Sequence, residues 1–344
     1  MTPAGEPAGV APLSCAAMDA EQVLAFRLAR SGLAARIEGV TREAYDAAVD
    51  SGDVVVAHIV RGAIHALAPD DLALYGRALI AADDDELAAQ LGRQVTRLAA
   101  EKGFAPTAAL DEVAAATTDA LAAEGPLDKN ALHQALRERV KADLMPWCRG
   151  CGSHHVAPML WRYATVEAGA RLDAQRRYTL AEPGSAPRPS AAVRRFLRFY
   201  GPATPGDFAE WAGLAKPHAR RLWDEVAPDL ATAGDAWILR EDAGDLASPP
   251  AAEGVRLIPP GDPYLQKPNR PLLAPDDALR KRLFRPVASP GAVLKDGRLV
   301  GLWRAKTKAI TVEKLDRIAR RELEPEARRV GELRGAREAS LVLV

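Results

Sequence analysis

Gly201-Pro-Ala-Thr-Pro-Gly-Asp-Phe-Ala-Glu-Trp-Ala-Gly-Leu-Ala-Lys-Pro-His-Ala-Arg-Arg-Leu-Trp223 has the spacing of a helix-turn-helix whose second helix is basic. Thr204 can cap a first helix, and Ala209 is small enough to sit where two helices cross. Gly213, four residues on, supplies the positive φ of a tight turn. Pro217 suits the first turn of the second helix, where its missing N–H costs nothing. The 3.6-residue period gathers Ala219, Leu222 and Trp223 on one face of that helix, in position to pack on Phe208 and Trp211. Lys216, His218, Arg220 and Arg221 are left toward solvent, the charge layout of a recognition helix. The pattern points to double-stranded nucleic acid; its plainer reading is a helical hairpin with a solvated basic face.

Downstream, Ala236-Trp-Ile-Leu239 reads as a wing strand, and upstream Glu182-Pro-Gly-Ser-Ala-Pro-Arg-Pro-Ser190 reads as a Pro-rich linker. Two earlier blocks repeat the logic. Asp19 to Arg36 and Thr41 to Val49, with Thr41 as N-cap, predict helices ahead of strands at Val54–Val60 and Ala63–Leu67, joined near Arg61-Gly62. A helical block from Asp84 to Ala123, broken at Gly103 to Pro106, leads to Gly125-Pro-Leu-Asp-Lys-Asn-Ala-Leu-His-Gln-Ala-Leu136, again a Gly-Pro entry, a polar cap and an amphipathic helix. After residue 250 short strands take over: Val255–Ile258, Ala292–Lys295, Arg298–Trp303 and Ala309–Val312, with Asp296-Gly297 as a two-residue hairpin turn. A charged helix at Glu322–Leu333 and a strand at Ser340–Val344 close the chain. The expected class is α+β, mostly helical, with three tandem winged helices and a C-terminal β-rich domain. The expected boundaries are a loose tail at 1–18, winged helices at 19–83, 84–182 and 183–250, and the β-rich domain at 251–344.

With 344 residues, 48% hydrophobic and 27% charged, the chain has the composition of a globular protein of several domains. The formal net charge is zero but unevenly spread. Residues 41–86 hold ten Asp/Glu against three Lys/Arg, and residues 266–308 hold eleven Lys/Arg against three Asp/Glu. A local basic patch is all that counterion release from phosphates requires. No apolar run approaches the ~20 residues that span a bilayer, and the N-terminus lacks a signal-peptide pattern. Three cysteines do not make a disulfide framework. These features predict a cytoplasmic, nucleoid-associated protein with no membrane contact. No heptad seam argues for a dimer, so a monomer is expected.

Several segments together resemble the AlkZ-like DNA glycosylases, the tandem winged-helix superfamily that also holds the YcaQ-type crosslink glycosylases. They are Arg61-Gly-Ala-Ile-His65 with Asp71-Leu72, Trp147-Cys-Arg-Gly-Cys-Gly-Ser-His-His155, and Tyr200-Gly-Pro-Ala-Thr204 through Asp207-Phe208 to Trp211. Leu257-Ile-Pro-Pro-Gly-Asp-Pro-Tyr-Leu265 and Asp296-Gly297 with Gly301-Leu-Trp-Arg304 complete the set, in order, from about residue 20 to 315. The resemblance implies binding of duplex DNA, lesion-containing DNA included, and excision of alkylated bases. In these glycosylases a catalytic Gln-x-Gln or Gln-x-Asp precedes the segment matched by Thr41–Val49. Here Leu33-Ala-Ala-Arg-Ile-Glu-Gly-Val40 runs almost directly into Thr41, which shortens the first winged helix, and no Gln-x-Gln occurs anywhere. Catalysis weakened or lost is therefore the first reading, and no catalytic residue is assigned. An active monofunctional glycosylase with a rearranged water-positioning residue and a transcription regulator are the alternatives.

The expected DNA-binding residues are Arg61, His65, Lys216, His218, Arg220, Arg221, Lys267, Arg270, Arg280, Lys281 and Arg282. Arg61 and His65 flank the first hairpin turn, where they can reach a phosphate or a flipped base; His65 can equally be a core histidine satisfied by backbone carbonyls. The cations from Lys267 to Arg285, with Tyr264 and Phe284 interleaved, suit a surface that tracks a nucleic-acid strand. Trp303-Arg304 reads as an anchor of the small β core. Asp46, Asp50 and Asp53 lie nearest the missing catalytic element and read as a solvated face. Cys148-x-x-Cys151-x-x-His154-His155 has zinc-ligand spacing. The histidines, however, fall where a helix Val156–Tyr163 is expected to begin, so the default is a buried loop with reduced cysteines, and neither metal nor cofactor is expected.

Overall fold

The computed structural model describes residues 11–12, 41–181, 187–285, 287–306, 309–334 and 340–344. The helix expected at 19–36, the chain leading into Thr41 and most of the Pro-rich linker fall outside them. The class is α+β, with many helices and several small sheets. The chain divides into two compact units, one of residues 45–193 and 208–225, the other of residues 1–44, 194–207 and 226–344.

The first unit is built on helices Asp84–Leu91, Arg93–Lys102, Pro106–Glu124, Lys129–Arg137 and Pro158–Glu167. The long Ala-rich helix Pro106–Glu124 lies at their centre, with Val113 and Ala120 fully buried. Its apolar neighbours Leu87, Leu132 and Leu160 are equally closed to solvent, each contributing about 1.5–3 kcal/mol by leaving water. Asp83 and Asp128 cap their helices, each accepting two backbone N–H bonds. The helical block breaks at Gly92 as well as at Gly103, both at positive φ. A four-stranded sheet completes the unit. The hairpin Val55–His58 and Ile64–Leu67 is joined, through Val56 opposite Leu172, to a second hairpin, Ala170–Leu172 and Tyr178–Leu180.

Helices Pro205–Ala212 and Lys216–Val226 flank Gly213 (φ 73°), as the opening segment predicts. Thr204 and Asp207 form the cap: the Asp207 N–H donates to Thr204 Oγ1 at 3.2 Å, and Thr204 N–H donates back to the Asp207 carboxylate at 2.8 Å. Ala219, Leu222 and Trp223 are buried, with the Trp223 ring against Phe208.

The second unit holds the hairpin Leu230–Ala233 and Ala236–Leu239, beside which Ala11–Pro12 runs parallel. It also holds a five-stranded sheet in the order Val255–Ile258, Gly291–Lys295, Arg298–Lys306, Ala309–Lys314, Ser340–Leu343. Neighbours in that sheet are antiparallel except the last pair. Helix Arg320–Leu333 covers one side with Leu323 and Ala327. Its Glu326 carboxylate, mostly buried, accepts the Leu257 N–H at 3.1 Å and two bonds from Arg329.

Candidate nucleic-acid interface

In the first unit, Arg61 sits at the hairpin turn with φ 59°, a left-handed backbone that is uncommon for any residue but glycine. Its stem lies against the helix-turn-helix: a side chain added at Gly213 would begin 2.7 Å from Arg61 Cγ. Glycine is required there by close approach as well as by φ. Arg61 and the turn before Lys216 are therefore neighbours, which the sequence had placed in separate domains. His65 points its Nδ1–H at the Ala63 carbonyl, 3.0 Å away. Burial, aided by the charge of Arg61, pushes its pKa below the usual histidine value against that bond. The bond occupies one ring nitrogen of a half-buried side chain, so His65 is not the core histidine of the plainer reading.

The second helix presents less free charge than its sequence promised. Lys216 is exposed. Arg220 donates to Asp224 one turn on, at 2.7 Å, and Arg221 donates to both oxygens of Glu86, at 2.8 and 2.7 Å. His218 is not on the solvent face. Its side chain is only 12% exposed, with Nδ1 3.8 Å from the same Glu86. Burial lowers its pKa, Glu86 opposes the shift, and Arg221 adds to it. Glu86 is the residue that sequence reasoning missed, because nothing local links it to a helix so far along the chain.

In the second unit, Arg270 lies over the Phe284 ring at 4.4 Å. Arg280 donates to the Ala274 carbonyl and pairs with Asp277, while Arg282 pairs with Glu313. Lys267 opens a short 3-10 turn, Lys267–Asn269, and its side chain is outside the described set. Lys281 and Arg282 join Arg285 and Arg304 in lining a cleft of about 430 Å³, together with Leu302, Thr311 and the acidic Glu313. Arg304 is thus exposed rather than a core anchor; its partner Trp303 is buried, donating Nε1–H to the Ile258 carbonyl at 2.8 Å. Tyr264 is fully buried and cannot stack on a base. The expected interleaving of aromatic rings with cations is reduced to Phe284, itself covered by Arg270.

A family model described as DNA glycosylase AlkZ-like matches residues 14–333. The chain belongs to that family. An interstrand DNA cross-link repair glycosylase of Streptomyces sahachiroi is 31% identical over 146 residues, which is 38% of this chain and 39% of that protein. The chain thus aligns with well under half the length of this curated relative. Among solved structures, the Streptomyces sahachiroi DNA glycosylase AlkZ superposes with a TM-score of 0.71 at 21% identity, covering 96% of this chain and all of that one. The AlkZ-like fold is therefore shared over nearly the whole chain.

Two further expectations for this AlkZ-like chain change. The Cys148 segment is neither a buried loop nor the entry to a helix at Val156. It is a two-stranded hairpin, Trp147–Cys148 with Ser153–His154, that leaves Cys148 half-buried and Cys151 exposed, and the next helix is Pro158–Glu167. Asp50 is not simply solvated, since its carboxylate accepts the Ala174 N–H at 3.0 Å and so ties helix Arg42–Ser51 to the loop of the second hairpin. No helix among the described residues is long and apolar enough to cross a membrane.

Proposed function

We propose that this chain binds duplex DNA through tandem winged helices and that base excision is weakened or lost. The observation that carries the reading is a match to a DNA glycosylase family over residues 14–333 in a sequence without Gln-x-Gln. Hydrolysis of an N-glycosidic bond needs a held water and a group that stabilises the developing oxocarbenium charge. Scaffold without that group leaves lesion recognition. The order helix 191–200, helix 205–212, helix 216–226 and hairpin 230–239 supports a winged helix, with Lys216, Arg220 and Arg221 as its phosphate-facing cations.

A duplex carrying a cationic N7- or N3-alkylpurine tests the proposal in one gel. Lesion-selective retention without base release is the expected result. Release above background would instead establish an active glycosylase, and retention indifferent to the lesion would establish a regulator.

Replacing Arg220 and Arg221 together with Gln is expected to weaken binding and to reduce the slope of log K against log salt by roughly 1 per lost phosphate contact. Glu86→Gln should act in the opposite direction. Arg221 is 60% exposed and its pairing with Glu86 must be given up to meet a phosphate. An exposed ion pair is worth up to about 1 kcal/mol, so releasing it should tighten binding about two- to fivefold in a titration at constant salt. Weaker binding by Glu86→Gln would place Arg221 outside the interface.

A further inference from the structure

The hairpin at residues 147–154 brings together three groups that neither the fold nor DNA binding uses. The ligand atoms of Cys148, Cys151 and His155 lie within 4.8 Å of one another, and they form the metal-competent cluster found among the described residues. Cys148 ends the first strand opposite Ser153, so the turn Arg149-Gly-Cys-Gly152 folds the second sulfur back over the first. A glycine makes that turn possible. Gly152 has φ 60°, the left-handed backbone that favours glycine, while Gly150 lies in ordinary contact with Cys148 Sγ, 4.0 Å from where a side chain would begin.

The two adjacent histidines divide their work. His154 is committed elsewhere: its Nδ1–H donates to the Met145 carbonyl at 2.9 Å, and its ring stands edge-on to Trp147. His155 donates Nδ1–H to the Val156 carbonyl at 2.8 Å, which fixes the tautomer with the Nε2 lone pair free. A backbone carbonyl on the far nitrogen is the usual support of a metal-ligating imidazole. The ring of His133 lies 5.4 Å from that of His155, tilted against it, and is not in the ligand set.

We propose that Cys148, Cys151 and His155 bind a zinc ion that staples this hairpin, with the fourth tetrahedral position taken by water on the exposed Cys151 side. Zinc fits because two thiolates and an imidazole are its preferred ligands, at about 2.3 Å for sulfur and 2.0–2.1 Å for nitrogen. A tetrahedron of those bonds sets the ligand atoms about 3.6–3.8 Å apart, a contraction of about 1.2 Å at most from the separation of up to 4.8 Å present, which the exposed turn can supply. On binding, each thiol releases its proton to solvent and its sulfur takes the metal. No oxidant is involved.

Cobalt(II) is the probe. The full-length chain, stripped with chelator and kept reduced, is expected to bind one equivalent, with thiolate-to-cobalt charge transfer and tetrahedral ligand-field bands, and zinc should bleach both. Cys148→Ser and His155→Asn should each lower affinity by about 100-fold or more, whereas His154→Asn, in the same hairpin, should leave it unchanged. A second measurement needs no variant: zinc should protect Cys148 and Cys151, but not Cys15, from alkylation read by peptide mass. Absence of the thiolate band in the parent chain, equal loss in His154→Asn, or thiols alkylated alike with and without zinc would overturn the proposal. A 2 Da loss in the peptide holding both cysteines, with no cobalt bound, would also overturn it and identify the pair as a dithiol that oxidises instead.

Discussion

Gly291→Ala is expected to remove most of the stability of the five-stranded sheet. A Cβ at this position would lie 2.2 Å from Trp303 Nε1, 2.6 Å from Trp303 Cε2 and 2.4 Å from the Ile258 carbonyl oxygen. Those groups make the buried bond that closes the sheet, Trp303 Nε1–H to Ile258 at 2.8 Å, and Gly291 lies directly opposite Trp303 in the strand register. Neither neighbour can step aside. Ile258 offers a backbone oxygen in the adjoining strand, and Trp303 is packed in the core with Leu257, Val293 and Leu323. The methyl group therefore breaks the bond, leaves a buried donor and acceptor unpaired at about 1–3 kcal/mol, and overpacks the core at about 1–3 kcal/mol more. Urea unfolding followed by tryptophan fluorescence should show an early transition in this unit. A double-mutant cycle adds the decisive comparison: in a Trp303→Phe background the bond is already absent, and Gly291→Ala should cost less there. Equal cost in both backgrounds would mean that the indole is not what the methyl group meets.

The same region shows how much was legible in the sequence. Strand Val255–Ile258, the Asp296-Gly297 turn between neighbours, and the caps Thr41, Asp128 and Thr204 are all local signals, and each lies where the sequence puts it; the strand read at Arg298–Trp303 starts there and runs on to Lys306. A cap is decided by a side chain and an N–H two or three residues apart, so nothing distant can override it. The errors concern partners far away along the chain. His218 obeys the helical period, yet Glu86 and the burial around it draw it inward. Arg221 faces water as expected and still finds Glu86. Tyr264 reads as an exposed ring among cations because its enclosing neighbours, Leu294 and Leu302, come from strands that pair later. The block read as continuous from Asp84 to Gly103 is broken at Gly92, where a lone glycine at φ 81° ends one helix and starts the next. Within the candidate site, the cations and the local partners Asp224 and Asp277 stand close in the sequence, whereas Glu86 and Glu313 come from distant segments that nothing local links to Arg221 and Arg282.

Acid should destabilise the first unit through His58, at pH values where its carboxylates are still ionised. His58 is 5% exposed, its ring edge-on to Trp161 and beside Tyr178. Thr165 donates its only hydroxyl proton to the Arg162 carbonyl at 2.7 Å, so at 2.9 Å it must accept from His58 Nδ1–H, and Nε2 carries the lone pair. A second proton would put a charge at Nε2 inside this cluster. Burial foremost, then the charges of Arg162 and Lys129 and the neighbouring His65, lower the pKa of His58 from 6.5 to about 4. The unfolded chain therefore binds a proton between about pH 6.5 and 4 that the folded chain refuses. Stability is complete above pH 6.5 and falls as the pH drops through that window, by up to about 2 kcal/mol from this residue between pH 6.5 and 5. His133, lowered to about 4 chiefly by burial, acts in the same direction. Urea midpoints at pH 7.5, 6.5 and 5 should fall progressively for the parent chain. His58→Asn should start lower at pH 7.5, having lost the packed ring, but decline less steeply below 6.5, because its side chain takes up no proton. A slope unchanged by the substitution would show that His58 titrates as freely folded as unfolded, and the buried cluster around Trp161 would have to be open to water.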